Sequence, residues 1–138
     1  MKRQVERINN SFRKTVEEKV SSLGMGLEKK LDQPMGSLSG GQRQALTLLM
    51  GVMDKTDILL MDEPTAALDP KSSQVVMQLA DKINKELGIT IVLVTHSMKD
   101  ALHYGNRLLM FHGGSIMSDL NKTDKSQLQL SSLQAWFS

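Results

Sequence analysis

Asp62 and Glu63 stand side by side after the apolar run Ile58-Leu59-Leu60-Met61, and His96 follows a second such run, Ile89 to Val94. Adjacent carboxylates at a strand end suit magnesium chemistry: Asp62 can hold the ion directly or through water, and Glu63 can orient or deprotonate an attacking water. In an open parallel sheet the ligand site lies beyond the carboxyl ends of the strands, so the spacing predicts that these groups converge there. A third candidate lies upstream, in Leu38-Ser39-Gly40-Gly41-Gln42. A helix N-terminus offers free backbone N–H groups and the positive end of its dipole, and residues without a β-carbon let an anion come close. Ser39, Gly40 and Gly41 therefore read as a phosphate contact. Each piece alone has a plainer reading. Strand ends are commonly polar, a histidine at a strand-to-helix turn is often a cap, and Ser-Gly-Gly also makes a capped tight turn.

The elements that would hold these residues follow from periodicity and punctuation. Val5, Ile8, Phe12, Val16, Val20 and Leu23 recur at spacings of three and four, which predicts a long amphipathic helix ending at Gly24, with a face that something must cover. Gly26 to Ser37, broken by Pro34 and Gly36, reads as a short helix and a loop. Ser39 then caps a helix whose Ala45, Leu46, Leu48, Leu49, Val52 and Met53 indicate heavy burial. Ile58 to Met61 is expected to be a buried parallel strand. Asp69 and Pro70 form a cap and first-position pair for a helix carrying Val75, Val76, Leu79, Ile83 and Leu87 inward and stopping at Gly88. Ile89 to Val94 is a second buried strand, rich in branched residues. A short helix follows from about Ser97 to Tyr104, with Gly105 as its terminator. Arg107 to Phe111 and Ser115 to Asp119 form a hairpin turning at His112, Gly113 and Gly114. The tail, with Leu128, Leu130, Leu133, Trp136 and Phe137, is weakly helical. Strand, helix, strand makes a βαβ unit, so the fold class is α/β.

Bulk properties narrow the function classes. The 138 residues are 40% hydrophobic and 23% charged, the size and composition of one globular domain. Net charge is +2, with lysines and arginines spread among carboxylates, so no nucleic-acid or polybasic-membrane footprint is visible. Cysteine is absent, which removes disulfide frameworks, thiol nucleophiles and cysteine-ligated zinc, and fits a reducing compartment. No stretch approaches the roughly 18 apolar residues of a spanning helix, and the start MKRQVERINN lacks the apolar run of a signal peptide.

Taken together, Leu38-Ser39-Gly40-Gly41-Gln42, Ile58 to Thr65, Ala67-Leu68-Asp69-Pro70 and Val94-Thr95-His96 resemble, in order and spacing, the signature sequence, Walker B strand, D-loop and switch histidine of an ABC-type ATPase. The resemblance implies a partial P-loop NTPase core with part of the helical signature subdomain. Residues 1–37 would be part of the helical subdomain, 38–120 the signature helix and the C-terminal part of the ATPase core, and 121–138 a tail, one truncated domain in all. It implies ATP and Mg2+ as ligands, with Asp62 coordinating magnesium, Glu63 as general base and His96 at the γ-phosphate. Ser39, Gly40, Gly41 and Gln42 would face a nucleotide bound to a second, head-to-tail ATPase domain, and Asp69 would carry contacts across that interface. Transmembrane permease subunits are the further partners implied, with the chain cytoplasmic and peripheral at the inner face of the cell membrane. Two other readings are a nucleic-acid or ribosome-associated ATPase of the same type and a catalytically dead interaction module.

Against the family pattern stands one large departure. The phosphate-cradling loop G-x-x-x-x-G-K-[ST] is nowhere in the sequence. The chain is expected to begin inside the helical subdomain, to be inactive alone, and to self-associate through strand edges and apolar side chains that a further strand would cover. Ala66 stands where the family often has serine. The runs QALTLLMG (44–51) and MKDALHYGNRLLMFHGG (98–114) are similar to ATPase subunits of bacterial importers of the amino-acid or tryptophan type.

Overall fold

Val16, Val20 and Leu23 recur at helical spacing and found the first core. The computed structural model describes residues 10–136 and places Val16 and Val20 on α1 (Asn10–Ser21), with Leu23 in the turn beyond it. Val20 is 1% exposed and clusters with Leu27 and Leu38; Val16, Leu23, Leu46 and Leu49 pack around these three. Each such side chain removed from water contributes roughly 1.5–3 kcal/mol. Phe12, on the same stripe, remains 49% exposed, so among the described residues of that face the cover lies over Val16 and Val20. Val5, Ile8 and Phe137, assigned by their spacing or type to helices, lie outside the described residues.

Between Gly26 and Ser37 the expected short helix and loop become two turns of 3-10 helix, Leu27–Lys30 and Met35–Ser37. Next comes α2 (Gly40–Gly51), which buries Gly41, Ala45 and Leu48 on one face. It stops at Gly51, so Val52 is its C-cap and Met53 lies outside it; both are only half-buried. The buried face of α2 meets α3 (Pro70–Leu87), which buries Val76, Met77, Leu79, Ala80 and Ile83. Asp69 caps α3, and Gly88 ends it in the left-handed region at φ 65°, where a side chain would be strained.

Between these helices runs β1 (Ile58–Asp62), hydrogen-bonded to β2 (Thr90–Val94) in a two-stranded sheet. The Thr90 N–H donates to the Asp57 carbonyl at one end, and the Glu63 N–H to the Val94 carbonyl at the other, so the strands run parallel. Neither strand is buried on both faces, as its continuous apolar run predicts. Met61 is 5% exposed, whereas Ile58 and Leu60 are 60% and 74% exposed; Val92 and Val94 are open likewise. Side chains alternate across a pleat, and among the described residues nothing covers the outer row.

Chain contacts divide the protein into two units, one running to Leu59 and including Pro64–Val92, the other comprising Leu60–Glu63 and the chain from Leu93 on. In the second unit Ser97 caps α4 (Met98–His103), which packs against α6 (Leu130–Ala135). The hairpin of β3 (Leu108–His112) and β4 (Ser115–Leu120) pairs Leu108 with Leu120 and His112 with Ser115, with a bulge after Met110. Gly113 and Gly114 take φ values of 56° and 78°, the pair of left-handed residues a two-residue hairpin turn requires. The tail, weakly helical from its sequence, forms α5 (Lys122–Ser126) and α6. Lys125 is 6% exposed and donates to the carbonyls of Tyr104 and Gly105, and its burial lowers the ammonium pKa.

Candidate functional site

In the first unit the candidate residues gather at the start of α2 and of α3. Ser39 is the N-cap of α2, and its Oγ accepts from the Gln42 N–H at 3.2 Å. Gln42 Oε1 accepts from the Ser39 N–H at 3.1 Å, closing a capping box in which each residue satisfies the other. The N–H groups of Gly40 and Gly41 find no acceptor among the described residues, so the turn keeps the donors an anion would use.

The glycines have a second reason to be glycine. A β-carbon on Gly40 would come within 2.9 Å of Leu68 Cδ2, and one on Gly41 within 2.8 Å of Ser72 Cβ. Leu68 and Ser72 flank Asp69, so the absent β-carbons let the start of α2 sit directly against the turn that opens α3. The local pattern alone points to a ligand as the reason for this close approach, whereas the tertiary partners Leu68 and Ser72 are remote along the chain. Asp69 Oδ1 accepts from the N–H groups of Lys71 and Ser72 at 3.1 and 3.0 Å. Hydrogen bonds from Ser72 foremost, then from Lys71, hold its carboxyl below the usual carboxylate range.

In the second unit the structure brings Glu63 and His96 together: His96 Nδ1 lies 2.7 Å from Glu63 Oε2. Parallel pairing of β1 and β2 puts both strand ends on one side, and the Glu63 N–H bond to Val94 fastens them. Glu63 adopts φ 44°, the one positive value at a non-glycine among the described residues. A side chain in that region costs about 1–3 kcal/mol, a strain that surrounding structure must enforce. Asp62, the last residue of β1, is exposed, and its carboxylate has no ion-pair or hydrogen-bond partner among the described residues. Among those residues no cluster of three or more metal-ligating side chains exists. One free carboxylate fits an ion such as Mg2+, which keeps most of its waters and takes the rest of its ligands from phosphate. Following His96, Thr95 Oγ1 accepts from the Ser97 N–H at 3.0 Å, and Ser97 Oγ from the Asp100 N–H at 3.3 Å, so the histidine stands on a hydrogen-bonded turn.

The ABC transporter family profile matches residues 2–66. The Tyrosine transport ATP-binding protein of Clostridioides difficile (strain R20291) is 45% identical over 82% of this chain and 45% of its own length. The chain belongs to the ABC transporter ATP-binding domains. It spans less than half the length of that relative, and so carries part of such a domain. Among solved structures, the ABC domain resembles a dimeric ATP-binding cassette in a post-hydrolysis state bound to ADP and Pi, at 29% identity and a TM-score of 0.69, over 86% of this chain and 50% of that one. It also resembles cbiO1 of Clostridium perfringens, part of an ABC transporter complex, at 28% identity and a TM-score of 0.70, over 87% of this chain and 47% of that one. The fold of this ABC domain is thus the α/β cassette of P-loop NTPases, and no helix among its described residues is long and apolar enough to cross a membrane.

Proposed function

We propose that this chain is the signature-bearing part of the ATP-binding and ATP-hydrolysing subunit of an ABC transporter, with Glu63 as the general base. The observation that carries the reading is the 2.7 Å pairing of Glu63 with His96 at the ends of two parallel strands, beside the free carboxylate of Asp62. Glu63 Oε1 is left to accept a proton from a water held in line with the γ-phosphate, because Oε2 is engaged by His96. His96 Nδ1–H donates to Glu63, which fixes the ring, and with a hydrogen on both ring nitrogens its Nε2–H would donate to a phosphoryl oxygen. Asp62 would hold Mg2+. That ion, when bound, neutralises charge on the phosphates.

At the start of α2, Ser39 Oγ and the N–H groups of Gly40 and Gly41 meet the γ-phosphate of a nucleotide carried by a second cassette, paired head to tail. Asp69, exposed at the adjoining turn, contacts that partner. The dimeric solved relative supports this pairing. The transported substrate is an amino acid: the name of the C. difficile relative points to tyrosine, and the runs at 44–51 and 98–114 resemble importers of the amino-acid or tryptophan type. Permease subunits complete the transporter, with the ATPase peripheral at the inner face of the membrane.

Calorimetry with ATP and magnesium, on this chain and on the protein expressed from its complete reading frame, tests the reading. The chain alone is expected to turn over no ATP, since it has no phosphate-cradling loop. The complete-frame protein is expected to hydrolyse ATP, and its Glu63→Gln variant to lose hydrolysis while keeping ATP-driven pairing. An active Glu63→Gln protein would remove Glu63 from the role of base.

A further inference from the structure

The side-chain amide of Gln42 is engaged at both ends. Oε1 accepts from the Ser39 N–H at 3.1 Å and from Lys30 Nζ at 3.2 Å, and Nε2 donates to the Met25 carbonyl at 3.3 Å. These partners dictate which way the amide faces. An ammonium only donates and a carbonyl only accepts, so a flipped amide would set donor against donor at Lys30 and acceptor against acceptor at Met25. With Oε1 held on the Ser39 N–H, Ser39 Oγ accepts from the Gln42 N–H, and its hydroxyl hydrogen has no acceptor among the described residues. It is left for an acceptor outside the chain.

Lys30 is itself held in place. The residue is half-buried, and it lines an apolar cavity with Val20, Leu27, Leu31, Leu38 and Leu46, which restrains its methylene stem while its head reaches Gln42. It closes the Leu27–Lys30 turn, entered through Gly26 at φ 68°. The ammonium is thus presented from a packed turn to the carboxamide of the signature sequence.

We propose that Lys30 is a positioning residue for the signature turn. Resting on the function proposed above, in which that turn meets a partner's nucleotide, Lys30 fixes the Gln42 amide and through it the set of Ser39 Oγ and the Gly40 and Gly41 N–H groups. It acts through Gln42 and makes no contact with the nucleotide.

Two readouts test this. In 15N NMR of the chain, the Gln42 side-chain amide protons are expected to exchange with D2O more slowly than those of exposed glutamines. Lys30→Met is expected to speed that exchange and shift the pair, and Lys30→Arg to restore both. Lys29→Met, beside it but exposed, is expected to leave the Gln42 signals unchanged. In the complete-frame protein, Lys30→Met is expected to lower kcat for ATP hydrolysis about tenfold, about 1.4 kcal/mol in barrier, with KM for ATP unchanged. Gln42 signals indifferent to Lys30→Met, no rescue by arginine, or a raised KM at unchanged kcat would each overturn the assignment. Should the complete-frame protein hydrolyse no ATP with Lys30 intact, the function proposed above fails, and the Gln42 signals still decide whether Lys30 sets the amide.

Discussion

At the residue scale, Gly36 and Gly41 lie five positions apart and should answer substitution in opposite ways. A β-carbon at Gly41 would sit 2.8 Å from Ser72 Cβ and 3.5 Å from Ser72 Cα, so α2 and α3 would have to move apart. Overpacking of that kind costs about 1–3 kcal/mol. A β-carbon at Gly36 meets nothing within 4 Å, and its φ lies outside the left-handed region. Alanine there narrows the unfolded ensemble, worth about 0.4–1 kcal/mol of stability. Urea unfolding of Gly41→Ala and Gly36→Ala measures both; a Gly41→Ala protein as stable as the parent would show that the close approach to Ser72 imposes nothing. The same pair explains what sequence showed and hid. Ser39 and Asp69 were legible as caps because their partners lie two or three residues away, and Gly88 because a helix stop is local. The Ser72 and Leu68 approaches, and the Lys30 and Met25 bonds to Gln42, join residues 12 or more apart and left no periodic trace.

At the scale of elements, capping carboxylates and cross-strand ion pairs make stability depend on acid. Asp69 at the start of α3, Asp119 in β4 and Asp32 beside α1 all hold their protons less tightly when folded, through Ser72, Arg107 and Arg13 respectively. Groups with depressed folded pKa values contribute stability above the unfolded carboxylate value of about 3.9, and that contribution is lost as pH falls through the lower folded values. Thermal unfolding is therefore expected to hold steady from neutral pH to about 5 and to weaken below about 4. Asp119→Asn should flatten the acid limb, since the Arg107 pair across the hairpin, at 2.8 and 2.6 Å, is what depresses that carboxyl. An acid limb unchanged in Asp119→Asn would remove the hairpin pair from that account. A second element depends on Lys125, whose ammonium satisfies the Tyr104 and Gly105 carbonyls at the end of α4. Lys125→Met keeps the stem and abandons both acceptors, at a cost of about 1–3 kcal/mol in urea unfolding. The hairpin and helix boundaries were readable because turns and caps are written locally. The buried lysine was not, because nothing near position 125 announces the carbonyls it serves.

At the scale of the molecule, the apolar run that reads as a buried strand is a strand with one face open. Ile58, Leu60, Val92 and Val94 present their outer row to water, and Phe111, Ile116 and Met117 do the same on the hairpin. Composition alone could not show this, since an apolar run states what a strand would bury and leaves open whether a neighbour is there to bury it. Contiguous exposed apolar surface favours association, and a parallel pair whose edges carry no further strand among the described residues offers backbone donors and acceptors to one. The chain is therefore expected to self-associate in a concentration-dependent way by sedimentation velocity. Leu60→Lys places a charge on the outer row without touching Glu63 or Met61, and should shift the equilibrium toward monomer while leaving the far-ultraviolet circular dichroism unchanged. Phe111→Lys does the same for the hairpin, and comparing the two variants shows which open row governs association. A chain that sediments as monomer at every concentration would mean that the open rows are tolerated in water. In that case the affinity of β1 for a covering strand is weaker than its exposed leucine and isoleucine imply.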